Sequence, residues 1–269
     1  MDKQVVLITG GSSGIGRAIG CYLKEQGYIV YGTTRNPGKY PHFTDFELLE
    51  LDVQLARTIN DTVAEILEKE GQLDILVNNA GVGITGPVEE TPENEIQNVF
   101  ATNFLGPVAM IRAVLPVMRN QGSGFIINIT SIAGYMGLPF RGYYSASKGA
   151  LELITESLRL ETAKSGIRIC TLAPGDFATN IAEGRYQAPV RPDSAYQPAY
   201  GASVDLMNRH VSQGQDPRRV GAKVHRILGK RNPRAHYVVG SPLQKFSVVL
   251  KRLLPDKLYE KLLLNHYKL

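Results

Sequence analysis

Gln4-Val5-Val6-Leu7-Ile8-Thr9-Gly10-Gly11-Ser12-Ser13-Gly14-Ile15-Gly16 is the stretch on which the reading of this chain turns. Gln4 to Thr9 is an apolar run rich in Val and Ile, the pattern of a buried strand. Glycines follow, and beyond them apolar residues recur at helical spacing through Ile19, Tyr22 and Leu23 as far as Gly27. Strand, glycine turn and helix, in that order, form the context a dinucleotide fingerprint needs. Gly10 permits the sharp turn, Gly14 lets a pyrophosphate approach the backbone, and Gly16 allows the helix to pack closely on the strand. The helix N-terminus, at Gly14 and Ile15, offers free N–H groups and a positive dipole end to the phosphates. Ser12 and Ser13 add hydroxyls to the same candidate cofactor loop.

The pattern repeats along the chain. Strands are expected at 28–34, 46–51, 74–77, 125–129, 167–172 and 236–239, separated by helices at 56–70, from Glu93 to Met118, around 144–160 and at 217–228. The helix that begins at Thr91-Pro92-Glu93 is expected to kink at Asn103-Phe104-Leu105-Gly106-Pro107. About seven strands alternating with helices imply one α/β domain, a doubly wound parallel sheet with helices on both faces. That domain spans residues 1–242 and carries a lid-like insertion at 180–217, rich in Pro, Tyr, Ala and Gln, with one helical piece around Ala202 to His210. Residues 243–269 form a basic amphipathic helical tail of the same domain.

The ends of the strands carry the chemistry, because ligands of open α/β sheets sit there. The second strand ends in Thr34-Arg35, where a NAD-binding chain usually places a carboxylate for the ribose 2′-hydroxyl. A guanidinium without a competing carboxylate suits a 2′-phosphate, which argues for NADP(H). Asp52 and Val53 close the third strand, and Asn78-Asn79-Ala80-Gly81 the fourth. The small residues there let a cofactor pass close; as a lone signal, the Asn side chains equally close a turn.

In Gly142-Tyr143-Tyr144-Ser145-Ala146-Ser147-Lys148-Gly149-Ala150-Leu151 the Tyr144 phenol and the Lys148 ammonium stand four residues apart on one helix face. Free tyrosine titrates near about 10, and a neighbouring positive charge favours its phenolate. A tyrosine so tuned can exchange a proton with a reacting oxygen. Tyr143 is about 140° around the helix from Lys148 and is not the favoured partner.

Together, Thr9-Gly10-x-x-x-Gly14-Ile15-Gly16, Asn78-Asn79-Ala80-Gly81, Asn103, Ser131, Tyr144-x-x-x-Lys148 and Pro174-Gly175 followed by Thr179 resemble the short-chain dehydrogenase/reductase family over nearly the whole chain. The resemblance implies that Tyr144 is the general acid/base, that Ser131 hydrogen-bonds the substrate oxygen, that Lys148 binds the nicotinamide ribose, and that Asn103 holds a relay water. It also implies hydride transfer between nicotinamide and a carbonyl carbon. Cofactor contacts would run through Asn79, Ala80, Gly81, Tyr144, Lys148, Pro174, Gly175 and Thr179. Helices built from 103–118 and 144–164 would form subunit interfaces, giving a homodimer or homotetramer. Asn-Ala-Gly-Val-Gly-Ile-Thr-Gly-Pro (79 to 87) and Gly-Leu-Pro-Phe (137 to 140) look like the branch of 17β-hydroxysteroid and retinol dehydrogenases. The chain departs from the β-ketoacyl reductases after the last strand, where Val239-Gly240-Ser241-Pro242 leads into the tail. A 3-ketoacyl-thioester reductase remains one alternative, and a catalytically dead NADP sensor is another of a different class. The intact Asn103, Ser131, Tyr144 and Lys148 argue against the sensor.

The 269 residues, 43% hydrophobic and 20% charged, suffice for one sizeable core. The start, Met-Asp-Lys-Gln, predicts no signal peptide. The apolar stretch Phe104 to Met118, interrupted by Pro107, Arg112 and Pro116, reads as too short to span a bilayer. Cys21 and Cys170 read as small buried hydrophobes in a reducing cytoplasm, and the five histidines have no metal-ligand spacing. The charge is lopsided: residues 215–269 hold 13 Lys/Arg against 3 Asp/Glu, net +10, leaving 17 against 22, net −5, elsewhere. Nucleic acid is not the expected partner. The tail, apolar at helical spacing with Lys245, Lys251, Arg252, Lys257 and Lys261 around it, has two readings: packing over the protein's own substrate side or a neighbouring subunit, or lying on an anionic membrane.

Overall fold

The computed structural model describes residues 3–179, 184–212, 214–267 and 269. Of the 180–217 insertion, residues 180–183 and 213 therefore lie outside the described residues. Seven strands form one parallel sheet: β1 (Val5–Ile8), β2 (Ile29–Thr34), β3 (Glu47–Glu50), β4 (Ile75–Asn78), β6 (Gly124–Ile129), β7 (Ile167–Pro174) and β9 (His236–Val239). Their order is β3-β2-β1-β4-β6-β7-β9, so the winding reverses between β1 and β4. A second, two-stranded ribbon pairs β5 (Ile84–Thr85) with β8 (Tyr186–Gln187). The sequence pattern did not reveal that ribbon, because two-residue strands have no period.

Both faces of the sheet are covered. On one side α2 (Ala56–Glu70), α4 (Gly106–Gln121) and α5 (Gly142–Glu161) bury Ile59, Ile66, Met110, Val114 and Leu158 against Val5, Leu7, Leu76, Ile126 and Ile169. On the other, α1 (Gly14–Glu25) and α7 (Arg218–Leu228) bury Ile19, Leu23, Val220, Val224 and Ile227 against Val6, Ile8, Val77, Ile127 and Leu172. Alternate residues of each strand thus feed opposite cores, as the period of two requires.

α3 (Glu93–Phe100) runs into α4 through a π-helical turn at Ala101–Leu105. The expected kink is this turn, whose wider winding brings the chain to Pro107 at the start of α4 without ending the helix. The apolar stretch Phe104 to Met118 is not short but part of a longer helix. Glu93–Gln121 is one run of 29 residues, with a mean hydropathy of 1.4 in its most apolar window, long and apolar enough to cross a membrane. Half of that window is buried inside the fold, so the helix serves the core.

The insertion holds α6 (Ala199–Ser212), longer than the expected piece. Tyr200 is buried and donates its hydroxyl to the backbone oxygens of Ala188 (2.8 Å) and Thr85 (3.2 Å), tying α6 to the ribbon. The tail folds as α8 (Pro242–Leu253) and α9 (Asp256–Tyr267), separated at Pro255. Val248 and Tyr259 pack on Met136, with Ile132, Tyr135 and Leu138 beside them. The tail therefore lies over the segment between Ser131 and Tyr144, as the packing alternative expects.

Candidate active site

The reversal of winding opens a crevice at the carboxyl ends of β1 and β4. The glycine loop lines one wall of it. Thr9 Oγ accepts the N–H groups of Asn79 and Ala80, both at 3.0 Å, and Asn79 Nδ2 donates to the carbonyls of Thr9 and Gly10, also at 3.0 Å. These bonds lock the two predicted loops, Thr9–Gly16 and Asn79–Gly81, to each other. Geometry dictates the glycines: Gly10 has φ +65° and Gly14 φ +53°, and a Cβ on Gly11 or Gly16 would overlap the backbone of Gly32 or the Gly10 carbonyl. Ser12 is buried, Ser13 is the exposed N-cap of α1, and Ile15 reaches the core beneath. The Ser13 side chain makes no capping bond, and the first turn of α1 contains no acidic residue. That N-terminus is free to receive an anion.

The remaining cofactor candidates ring the same crevice. Arg35 follows β2 directly and is exposed, and among the described residues nothing pairs with it. Asp52 caps its own turn by accepting from the Gln54 N–H at 2.9 Å, and Val53 is buried against Gly106. Pro174 ends β7, Gly175 donates its N–H to Val239 O at 2.8 Å, and Thr179 meets the open side of Gly14. A glycine cradle that side chains would fill, with uncapped N–H groups and a lone guanidinium at its far end, fits a nicotinamide dinucleotide.

The four catalytic candidates stand on the π turn, the segment after β6 and α5. Asn103, fully buried in the π turn, accepts from Val82 N–H (2.8 Å) and donates to Val82 O (2.9 Å) and Ser147 Oγ (3.2 Å). It thereby joins the end of β4 to α5. Ser131 follows β6 and caps a single 3₁₀ turn, Ile132–Tyr135, accepting from Ala133 N–H at 3.2 Å. Lys148 is 4% exposed and donates to Ile129 O at 3.0 Å. An atom at the missing Cβ of Gly81 would lie 3.2 Å from Asn103 Oδ1 and 3.3 Å from Lys148 Nζ, so both face the same small space. Tyr144 is 8% exposed, one turn before Lys148, in an apolar cluster with Ile84, Val99 and Ala133. The Arg141 guanidinium lies 5.2 Å from its ring centroid. Tyr143 donates instead to Val88 O at 2.9 Å, outside this group.

Behind Lys148 stands a network the motifs do not include. Glu152, 4% exposed, accepts from Thr130 Oγ (2.5 Å) and Thr171 Oγ (2.6 Å) and meets His236 Nδ1 at 2.7 Å. The other ring nitrogen of His236 lies 2.9 Å from Glu156. Two carboxylates on two ring nitrogens favour the imidazolium. The Glu152 hydrogen bond raises the histidine pKa above its usual value, with burial opposing. Burial pushes the Lys148 ammonium down to about 8, against the opposite pull of Glu152. Glu152 lies four residues beyond Lys148 on the same helix face, a spacing legible in the sequence. Its partner His236 comes from another strand and was not.

A family model described as short chain dehydrogenase matches residues 4–189, more than half of the chain. The chain belongs to the short-chain dehydrogenase/reductase family. It is an oxidoreductase of the carbonyl and CH–OH kind. A 3-ketodihydrosphingosine reductase of Bacteroides thetaiotaomicron is 38% identical over 261 residues, covering 97% of this chain and 96% of that one. A short-chain dehydrogenase of Streptomyces avermitilis superposes with a TM-score of 0.84 at 32% identity, over 99% of this chain and 97% of that one. A family member from Burkholderia phymatum, solved in complex with NAD, gives a TM-score of 0.79 at 25% identity over 93% and 92%. The family uses a nicotinamide cofactor, and the doubly wound sheet is its fold.

Proposed function

We propose that this protein is an NADP(H)-dependent reductase that interconverts a carbonyl and an alcohol on a hydrophobic substrate. The observation that carries the reading is that Lys148 and Asn103 face one small space beside Gly81, with Tyr144 buried one helical turn before Lys148. Gly10, Ser12, Ser13, Gly14, Ile15 and Gly16 would hold the pyrophosphate half of the cofactor. Arg35 would take the 2′-phosphate, Asp52 and Val53 would border the base, and Asn79, Ala80, Gly81, Lys148, Pro174, Gly175 and Thr179 would border the nicotinamide half. When bound, the nicotinamide supplies or accepts the hydride. Ser131 donates a hydrogen bond to the substrate oxygen and fixes it against Tyr144. Tyr144 gives that oxygen its proton in reduction and takes it in oxidation. Lys148 holds positive charge beside the reacting oxygen, and Asn103 keeps the loop after β4 in register with α5 and supports a relay water.

The apolar surroundings of Tyr144, with Val82, Phe100, Leu138 and Tyr186 partly buried around Ile84 and Val99, favour an alkyl-bearing substrate. The 38% identity to a 3-ketodihydrosphingosine reductase supports a 3-keto group on a long chain. The described part of the insertion, residues 184–212 and 214–217, would serve as a lid. We also read the protein as cytoplasmic, in keeping with two free cysteines in separate elements. Leu105 on the π turn and Leu153 and Leu160 on α5, all exposed, are the face for a homodimer or homotetramer. The test is NADPH oxidation with 3-ketodihydrosphingosine, a 3-ketoacyl thioester, a steroid ketone and a small water-soluble ketone. Turnover concentrated in the long-chain ketones supports the reading. Turnover of none, with the cofactor bound, would favour a sensor instead.

A further inference from the structure

The tail helices have two apolar faces, and packing on the protein uses only one. Val248, Tyr259 and Tyr267 are buried. Away from them, Leu243 (74% exposed), Phe246 (54%), Val249 (46%) and Leu253 (74%) recur on α8 at spacings of three and four, which makes a single outward stripe. Leu258 and Leu262 extend the exposed apolar surface onto α9. An ordinary surface helix turns leucines in and lysines out; here the outward face carries both.

The charge identifies the occupant. Residues 242–269 hold six Lys/Arg against two Asp/Glu, net +4. Lys251 is engaged with Asp256 at 3.2 Å, and Arg252 lies over Tyr135. Lys245, Lys257 and Lys261 are exposed beside the leucines. Lys245 also joins a basic cluster with Lys223, Arg226, Lys230 and Arg234: burial first, and then repulsion from these neighbours, lowers the Lys223 pKa. A second copy seated on this face would set net positive charge against its own like. A neutral apolar partner would leave the lysines unanswered. A bilayer with anionic headgroups meets both needs, taking the leucines among the acyl chains and the lysines at the phosphates.

We propose that the outward face of α8 and α9 docks this protein in the plane of an anionic membrane. The tail's inner face adjoins the substrate side. Leu138 packs both in the cluster around Tyr144 and in the cluster under the tail. Gln244 of α8 donates to Asp176 at 2.7 Å in the loop that follows Gly175. A docked tail therefore sets the substrate mouth at the bilayer surface. Docking of this kind is independent of which ketone the enzyme reduces.

The full chain is floated with vesicles of phosphatidylcholine alone and of phosphatidylcholine with phosphatidylglycerol. It is expected to rise with the anionic vesicles and to stay behind with the neutral ones. Lys245→Gln with Lys261→Gln should lower partitioning by roughly 25-fold, at about five-fold for each basic residue. Phe246→Ser with Leu253→Ser should abolish flotation while the melting curve is kept, since both side chains point away from the core. Failure of the full chain to float with anionic vesicles overturns the proposal, as does unchanged flotation of either double variant. A fall in molar mass of the serine variant by light scattering would overturn it too, because the face would then belong to a second copy.

Discussion

Two loops at the same edge of the sheet are built in opposite ways. Thr9–Gly16 is held by short polar side chains on main-chain atoms: Thr9 Oγ and Asn79 Nδ2 clasp the backbone of the facing loop, and Gly11 and Gly16 have no room for a Cβ. Tyr135–Phe140, after β6, is held by side chains from distant parts of the chain. Met136 sits under Val248 and Tyr259, Leu138 is shared by two apolar clusters, and Phe140 packs on Tyr196 and Tyr200 of the insertion. Phe140 has φ +57°, a conformation that costs a bulky residue of order 1–3 kcal/mol and persists because the packing around it offsets that cost. The proposed cofactor side is thus built from short local motifs, and the proposed substrate side from segments distant in sequence. The proposed function puts cofactor binding on the first and selectivity on the second.

The comparison is tested hardest at Tyr144, where the two sides meet. Tyr144→Phe should lower kcat by about 10²–10⁴-fold, the usual contribution of a general acid/base, while NADPH binding by fluorescence is unchanged. Tyr143→Phe, which loses only a bond to Val88, should keep most activity. Retained turnover in Tyr144→Phe would remove the tyrosine from the chemistry.

Next comes the guanidinium on the proposed cofactor side. Arg35→Ala should weaken NADPH by roughly ten- to a hundred-fold, the worth of a charged hydrogen bond of about 1.5–3 kcal/mol, and leave NADH nearly unaffected. Thr34→Asp with Arg35→Ala should reverse the preference. Equal affinities in the wild type, measured by titrating both cofactors, would mean that the guanidinium faces solvent in the complex as well.

On the substrate side the expected effect is smaller and selective. Phe140→Ala removes the ring that anchors Tyr196 and Tyr200, so KM for a long-chain ketone should rise about ten-fold, within the 1–3 kcal/mol that an apolar contact contributes to discrimination. A small soluble ketone should be turned over as before. If both substrates suffer equally, the insertion supports the fold rather than gripping the alkyl chain.

The same division explains what could be read in advance. Strand runs such as Val5–Ile8 and Phe125–Ile129, the glycine turn and the Tyr144/Lys148 spacing are local signals, and each stands where the sequence puts it. The seventh strand, His236–Val239, was likewise legible. What was not legible rests on contacts between distant segments. The β5–β8 ribbon joins residues 84–85 to 186–187, and the π turn stood in the sequence only as a suspected kink. The partnership of Glu152 with His236 spans 84 residues. The tail showed its helical period, but its two opposed apolar faces appeared only when Val248 was found buried and Leu253 exposed.

The smallest effect concerns that Glu152–His236 pair, which stands behind Lys148. The histidine pKa is raised by its bond to Glu152, so its stabilising contribution is complete below the unfolded value, near about 6.5. It is lost as pH rises through the folded value. Glu156, at 51% side-chain exposure, keeps water at one end of the pair, so the contribution is discounted to about 1 kcal/mol or less. A Tm decrement of about 2–4 °C should therefore appear in the wild type as pH rises through that window, and His236→Gln should lack it. Glu152→Gln should act on catalysis as well. Without the carboxylate's pull, the Lys148 pKa falls below about 8, the charged form is lost sooner, and the alkaline limb of kcat/KM moves to lower pH. A purely structural Glu152 would lower activity evenly across the profile. An unmoved limb in a well-folded Glu152→Gln enzyme would therefore separate the brace from the chemistry.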